Sequence, residues 1–176
     1  MAGGASREPG DERLHVTFVC SGNICRSPMG EVILRRLLEE AGIGPTEVSV
    51  RSAATTAWQV GNPADPRAVS ILRRRGYDGS AHVARQFDPE SFEHADLVLA
   101  ADASHLRELR GWARTEHERA TVRLMREFDP AAVAAGTLEV DDPWYGEAAD
   151  FERCFLEVEA SCRGLVAHLR GRLRRG

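Results

Sequence analysis

The chain is organised around one stretch of ten residues, Val19-Cys20-Ser21-Gly22-Asn23-Ile24-Cys25-Arg26-Ser27-Pro28. An apolar run typical of a buried strand ends at Cys20, a loop of small and polar residues follows, and a helical pattern begins near Ser27. Backbone amides converge on an anion at such a junction of strand, loop and helix N-terminus. Cys20 and Arg26 would place a nucleophilic thiol and a planar guanidinium around the same concavity. The stretch therefore predicts a phosphoryl-binding site with Cys20 beneath the phosphorus atom.

The length and charge of the chain narrow its class. Its 176 residues suffice for one domain with a single core, and a net charge of −4 does not favour nucleic-acid binding. Residues 1–13 are polar and lack the apolar run of a signal peptide, and no stretch is apolar for long enough to span a bilayer. We expect a cytoplasmic protein that binds neither nucleic acid nor membrane. Its domain is predicted at 14–173, after a disordered N-terminal extension at 1–13.

The four cysteines, Cys20, Cys25, Cys154 and Cys162, are too few and too unevenly spaced for a disulfide framework. They also lack the paired short spacings of a zinc site, so we expect no metal and no cofactor. Cys162 falls on the apolar stripe of the last predicted helix and is interpreted as a core residue. For Cys25 we hypothesise a reversible disulfide with Cys20 that protects the nucleophile from irreversible oxidation.

Strand and helix patterns alternate along the chain. Strands are predicted at 14–20, 48–53, 95–101 and 121–125, and helices at 27–41, 64–75, around Leu106 to Ala113, and at 149–172. Residues 126–142 read mostly as loop. The alternation predicts an α/β fold with a four-stranded parallel sheet covered on both faces. Ligands of such sheets bind at the carboxyl ends of strands, where Cys20 lies. Asp102, at the end of the third strand, is expected to cap the next helix.

Each residue type in the central loop suits a phosphoryl site. The helix N-terminus, the loop amides and Arg26 favour the thiolate form of Cys20. Ser27 either donates its hydroxyl proton to that sulfur, caps the helix, or does both. Gly22 is expected to reach backbone angles that side chains forbid and to let the loop amides approach the ligand, and Asn23 is expected to hold a left-handed conformation.

A second segment, Val140-Asp141-Asp142-Pro143-Trp144-Tyr145-Gly146, provides carboxylates for proton transfer. The conjugate acid of a phenoxide leaving group has a pKa of about 10, so a well-placed carboxylic acid can protonate it. The same group, once ionised, would take a proton from the water that hydrolyses a cysteinyl phosphate. The residues alone leave Asp141 and Asp142 as alternatives.

The aromatic side chains predict the shape of the substrate. A phosphotyrosine is long and flat, and a deep cleft with apolar walls can hold its ring while the phosphate reaches Cys20. The candidates for those walls are Trp58, Trp144, Tyr145 and Ile24. A phosphoserine is shorter, and its phosphorus would not reach the base of such a cleft.

The central loop resembles the phosphate loop of the low molecular weight protein tyrosine phosphatases, a cysteine followed by five residues, an arginine and a serine or threonine. The resemblance runs from Leu14 to the last helix. It implies a single flavodoxin-like, three-layer domain with strand order 2-1-3-4. It also implies hydrolysis of tyrosine-phosphorylated proteins through a cysteinyl phosphate, with inorganic phosphate as product. The Asp-Pro-aromatic-Tyr acid loop of that family selects Asp142, before Pro143, rather than Asp141. Ser52 and His82 match the serine and histidine that brace the loop asparagine in the family.

Three other functions share part of this pattern. Arsenate reductases have a similar loop but need further cysteines in the middle of the chain, and the interval from Arg26 to Arg153 contains none. Protein arginine phosphatases are closer, with threonine where this chain has Ile24, whose apolar side chain suits an aromatic ring better than a guanidinium. A phosphotyrosine-binding module without turnover would fit a chain that had lost Cys20, Arg26 or Asp142. The arginine phosphatase and the binding module remain as alternatives.

Overall fold

A four-stranded parallel sheet forms the centre of the computed structural model, in which residues 10–176 are described. The strands are β1 (Leu14–Cys20), β2 (Val48–Ala54), β3 (Leu97–Ala100) and β4 (Val122–Leu124), in the order β2-β1-β3-β4. The predicted extension at 1–13 lies mostly outside the described residues and stays a prediction. The four residues of β3 are all buried, as expected for a central strand with helices on both faces.

Six helices surround the sheet in the part of the chain that the structure describes. They are α1 (Arg26–Glu40), α2 (Pro66–Arg74), α3 (Ala103–Trp112), α4 (Glu116–Thr121), α5 (Pro130–Ala135) and α6 (Ala148–Leu173), with 3-10 turns at Pro89–Glu93, Met125–Phe128 and Pro143–Tyr145. Helices α1, α2 and α6 share one apolar core with β1, which contributes Val16 and Phe18. A smaller core on the opposite face joins Leu109 of α3 to Val19 and Val98.

Helix α6 has the predicted apolar stripe along its inner side. Its buried members are Phe151, Phe155, Val158, Cys162, Leu165 and Leu169. The sulfur of Cys154 lies 3.8 Å from that of Met29 in α1, and Cys162 is fully buried. Both cysteines therefore act as small core residues.

The segment after β4 is more ordered than expected. Residues 126–142 were predicted mostly as loop, but they contain most of a 3-10 turn and the whole of α5. Local capping explains this short helix. The Asp129 carboxylate accepts the Ala131 N–H at 3.0 Å, Pro130 occupies the first turn, and Gly136 ends the helix with φ of 70°. Six residues rich in alanine show too little apolar periodicity to be recognised by pattern.

Helix α4 was also missed, for the same reason. The Thr115 hydroxyl accepts the Glu118 N–H at 3.1 Å, and the Glu118 carboxylate accepts the Thr115 N–H in return. This capping box stabilises a helix of only six residues.

Among residues 10–176, no helix is long and apolar enough to cross a membrane.

The glycines of α6 provide a matched test of this packing. A methyl group at Gly164 would overlap the Phe128 backbone carbonyl, whereas one at Gly171 would meet nothing closer than the Arg175 guanidinium at 3.9 Å. We predict that Gly164→Ala lowers the free energy of unfolding by about 3 kcal/mol, because the backbone of the 3-10 turn must move. Gly171→Ala should leave it unchanged or raise it by up to about 1 kcal/mol. Urea titrations of both variants measure the difference, and equal effects would contradict the packing of α6 on this turn.

Candidate active site

The phosphate loop, residues 20–27, joins the carboxyl end of β1 to the first turn of α1. The helix begins at Arg26, with Cys25 as the residue that precedes it and no side-chain cap. Capping by Ser27 was therefore a wrong expectation, because the serine lies inside the first turn and is fully buried. Its hydroxyl lies 2.9 Å from the Cys20 sulfur and accepts a hydrogen bond from Asn23 Nδ2 at 2.8 Å. Since the Asn23 amide can only donate there, the hydroxyl proton of Ser27 is free to point at the sulfur.

Asn23 holds the loop in its curved shape. Its φ of 57° places it in the left-handed region, as expected, and it is fully buried. Nδ2 also donates to the Ser52 hydroxyl at 2.9 Å, and Oδ1 accepts the Arg85 N–H at 2.9 Å. His82 Nε2 donates to the Asn23 backbone carbonyl at 2.7 Å. Ser52 and His82 thus both bind Asn23, as the resemblance to the family implies.

Glu31 lies beneath this network and was not identified from the sequence. It is buried on α1, accepts a short hydrogen bond from the Ser52 hydroxyl and pairs with Arg35 at 2.8 Å. Its carboxylate is also 3.8 Å from His82 Nδ1. Burial lowers the pKa of His82, which favours a neutral ring with its proton on Nε2. The available signal was a charged residue on the apolar face of a helix, one turn after Ser27.

The expectation that Gly22 adopts a backbone conformation closed to other residues was wrong, whereas its role in letting the amides approach a ligand stays a prediction. Its φ is not positive, so the left-handed position in this loop belongs to Asn23. A methyl group at Gly22 would come within 3.2 Å of the Gln59 side chain. Gly22 therefore lets the segment after β2, which carries Trp58, approach the phosphate loop.

The Arg26 side chain is buried and fixed at several points. Nη1 donates to Asp102 Oδ2 at 2.8 Å and to the Val140 carbonyl at 2.9 Å, and Nη2 lies 3.4 Å from Asp142 Oδ2. Although burial opposes it, hydrogen bonds from Ser104 and Arg26 and the nearby His105 hold the pKa of Asp102 at about 2. Asp102 caps α3, as expected, and it also orients Arg26, a contact that the sequence did not indicate.

His105 is a second residue that sequence reasoning missed. It is 1% exposed, and Nε2 lies 2.8 Å from the hydroxyl of Ser21 in the phosphate loop. Burial lowers the pKa of His105 to about 4, so the ring is neutral. Nδ1 is 3.2 Å from Asp102 Oδ1 without a well-aligned hydrogen bond. The Ser21 carbonyl accepts the Thr56 hydroxyl at 2.8 Å, which holds the loop from the other side.

The segment predicted as the acid loop, residues 140–146, approaches the phosphate loop beside Arg26. The Val140 N–H donates to the Ala101 carbonyl at 2.8 Å, so this loop begins on the strand end next to β1. Asp142 Oδ1 accepts the Trp144 N–H at 3.1 Å, and its other oxygen faces Arg26. The structure therefore brings Asp142 to the buried arginine of the phosphate loop.

The predicted wall residues are exposed aromatic rings. Trp58, Trp144 and Tyr145 are 82%, 42% and 87% exposed. The rings of Trp144 and Tyr145 meet edge to face with centroids 4.7 Å apart. These large rings leave apolar surface exposed on two loops. Their role as walls of a substrate pocket stays a prediction. Ile24 is half-buried in the phosphate loop.

The second cysteine of the phosphate loop, Cys25, is buried like Cys20. Burial raises the pKa of the Cys25 thiol, and the negative charge of Asp65 adds to the shift. All four cysteines are unpaired in the structure, so the proposed disulfide between Cys20 and Cys25 stays a prediction. No cluster of metal-ligating side chains occurs among residues 10–176.

Known proteins share both this sequence and this fold. The family model of the low molecular weight phosphotyrosine protein phosphatases matches residues 15–175. The low molecular weight protein-tyrosine-phosphatase of Streptomyces coelicolor is 51% identical over 155 residues, which are 88% of this chain and 93% of that protein. The low molecular weight protein-tyrosine phosphatase A of Mycobacterium tuberculosis is 45% identical over 152 residues, 86% of this chain and 89% of that protein.

A solved structure gives the same result. The protein tyrosine phosphatase of Entamoeba histolytica superposes with a TM-score of 0.83 at 28% identity, covering 90% of this chain and 97% of that chain. The predicted flavodoxin-like fold is confirmed, and so is the membership in the family that the phosphate loop resembles. The chain belongs to the low molecular weight phosphotyrosine protein phosphatase family, a family of hydrolases.

Proposed function

We propose that this chain hydrolyses phosphotyrosine in protein substrates and releases inorganic phosphate. The observation that carries the proposal is the position of Arg26, which ends the phosphate loop and lies 3.4 Å from the carboxylate of Asp142. A thiol, an anion-binding loop and a carboxyl group thereby share one site. The four unpaired cysteines suit a reducing compartment, so a cytoplasmic location is part of the proposal.

In the first step, the Cys20 thiolate attacks the phosphorus atom and the bond to the tyrosine oxygen breaks. The N-terminus of α1 and the guanidinium of Arg26 bind the phosphoryl oxygens. Asp142, as a carboxylic acid, donates its proton to the departing phenoxide. Because Asp102 and Val140 already hold Nη1 of Arg26, the guanidinium is oriented before the substrate binds.

In the second step, water attacks the cysteinyl phosphate. The Asp142 carboxylate takes a proton from that water, and the phosphorus–sulfur bond breaks to release inorganic phosphate. The Ser27 hydroxyl, 2.9 Å from the Cys20 sulfur, stabilises the thiolate that leaves. One carboxyl group thus serves as acid and then as base.

The nucleophile and the acid can be separated by mutation. We predict that Cys20→Ser abolishes hydrolysis of para-nitrophenyl phosphate and that Asp142→Asn lowers kcat for this substrate by about 10²-fold or more, through a slower second step. Asp141→Asn serves as the matched control and should retain activity. Phosphocysteine should accumulate in Asp142→Asn, where the second step lacks its base, and mass spectrometry of the quenched protein detects it. Activity in Cys20→Ser, or equal losses at the two aspartates, would contradict the mechanism.

Substrate choice depends on the walls of the site. We predict that the protein hydrolyses phosphotyrosine peptides faster than phosphoserine or phosphoarginine peptides, and that Ile24→Thr lowers kcat/KM for phosphotyrosine several-fold by removing apolar contact. Phosphate release from a matched peptide panel measures this. A preference for phosphoarginine would identify an arginine phosphatase instead, and tight binding without release would identify a binding module.

A further inference from the structure

Residues 65–67, at the start of α2, lie between the phosphate loop and the acid loop. On one side, the Asp65 N–H donates to the carbonyl of Ile24 at 2.8 Å. The Asp65 carboxylate is buried and accepts the Arg67 N–H at 2.8 Å, which caps the helix. The segment is therefore attached to the wall of the phosphoryl site.

On the other side, Arg67 reaches the acid loop. Its Nη2 donates to the Trp144 carbonyl at 3.1 Å. The same guanidinium binds Asp65 through Nε at 3.1 Å and Nη2 at 2.9 Å, and it stacks 4.5 Å over the ring of Phe151 in α6. These contacts fix the plane of the guanidinium, although the side chain is 44% exposed.

Trp144 connects this contact to the carboxyl group of the acid loop. The backbone N–H of Trp144 donates to Asp142 Oδ1, and the backbone carbonyl of Trp144 accepts from Arg67. The peptide groups on both sides of Trp144 are therefore hydrogen-bonded. At the other end of the loop, Val140 is held by Ala101 and Arg26. Asp142 therefore lies between two anchored peptides, and Arg67 supplies one of the anchors.

We propose that Arg67 is a positioning residue that holds the acid loop, and with it the proton of Asp142, over the phosphate loop. The inference rests on the proposed phosphatase function. Arg67 contacts neither Asp142 nor the Cys20 thiol directly and acts through the Trp144 peptide. Lysine at this position keeps the charge but loses the planar fork, and so cannot bind the Asp65 carboxylate bidentately while it holds the Trp144 carbonyl.

This role predicts a loss that depends on the leaving group. With a series of aryl phosphates, kcat/KM reports the steps up to cleavage of the phosphorus–oxygen bond. A phenol with a pKa of about 10 needs the proton of Asp142, whereas para-nitrophenolate leaves readily without it. We expect Arg67→Lys and Arg67→Gln to lower kcat/KM for phenyl phosphate about tenfold and for para-nitrophenyl phosphate less than about twofold. Asp142→Asn should show the same trend with a steeper slope.

Two controls separate positioning from damage to the fold. The inhibition constant of inorganic phosphate should change less than about twofold in both Arg67 variants, because the phosphate loop is untouched. Arg73→Lys, an exposed position on the same helix, should match the wild type on every substrate. Thermal unfolding of each variant verifies that it is folded under the assay conditions.

The opposite results are distinct from one another. Equal losses of the Arg67 variants on all leaving groups, with weaker inhibition by phosphate, would show a general structural role and overturn the inference. An unchanged slope in both Arg67 variants, while Asp142→Asn steepens it, would overturn the inference and leave the proposed function standing. A wild-type protein without phosphatase activity, or an Asp142→Asn variant with an unchanged slope, would instead overturn the proposed function or its acid, and this inference with it.

Discussion

The ion pair between Arg26 and Asp102 supports the rest of the site. A buried guanidinium is costly without a partner, and removal of one member of such a pair generally costs about 3–5 kcal/mol. Here the partner comes from the end of β3, the strand that pairs with β1, so the sheet itself brings the two charges together. The same arginine binds the Val140 carbonyl at the start of the acid loop. One side chain therefore joins the phosphate loop, the neighbouring strand end and the acid loop.

A second set of contacts holds the phosphate loop from the side of β2. Asn23 is fully buried in a left-handed conformation that costs free energy for a residue with a side chain. Ser52, Arg85 and His82 offset that cost by binding its side chain and carbonyl. Glu31 in turn accepts a hydrogen bond from the Ser52 hydroxyl. The phosphate loop therefore has its curved shape before a ligand binds, and substrate binding does not have to reorganise it.

The sequence predicted those features that depend on short segments, either as motifs or as periodic patterns. The stretch from Cys20 to Ser27 and the Asp142-Pro143 pair could be recognised by residue type and spacing, and the stripe of α6 by its helical period. Contacts that depend on strand register could not be found this way. His105 reaches Ser21 because α3 follows β3 and β3 pairs with β1, a relation that no local pattern contains.

The sequence patterns also failed to predict a short helix and the orientation of one buried side chain. Helix α5 is defined by caps rather than by an apolar stripe. Ser27, which the sequence pattern suggested as a cap, lies inside the first turn of α1 with its hydroxyl toward Cys20. In both cases a few hydrogen bonds decide the outcome, and the residue pattern permits more than one arrangement.

A crystal structure of the protein with orthovanadate would test most directly whether Cys20 is the nucleophile and Asp142 the acid, because vanadate adopts the five-coordinate geometry of phosphoryl transfer. We expect a vanadium–sulfur bond to Cys20, equatorial oxygens on the loop amides and Arg26, and the Asp142 carboxylate at the apical oxygen opposite the sulfur. Vanadate bound away from Cys20, or Asp141 in place of Asp142 at the apical oxygen, would contradict this expectation.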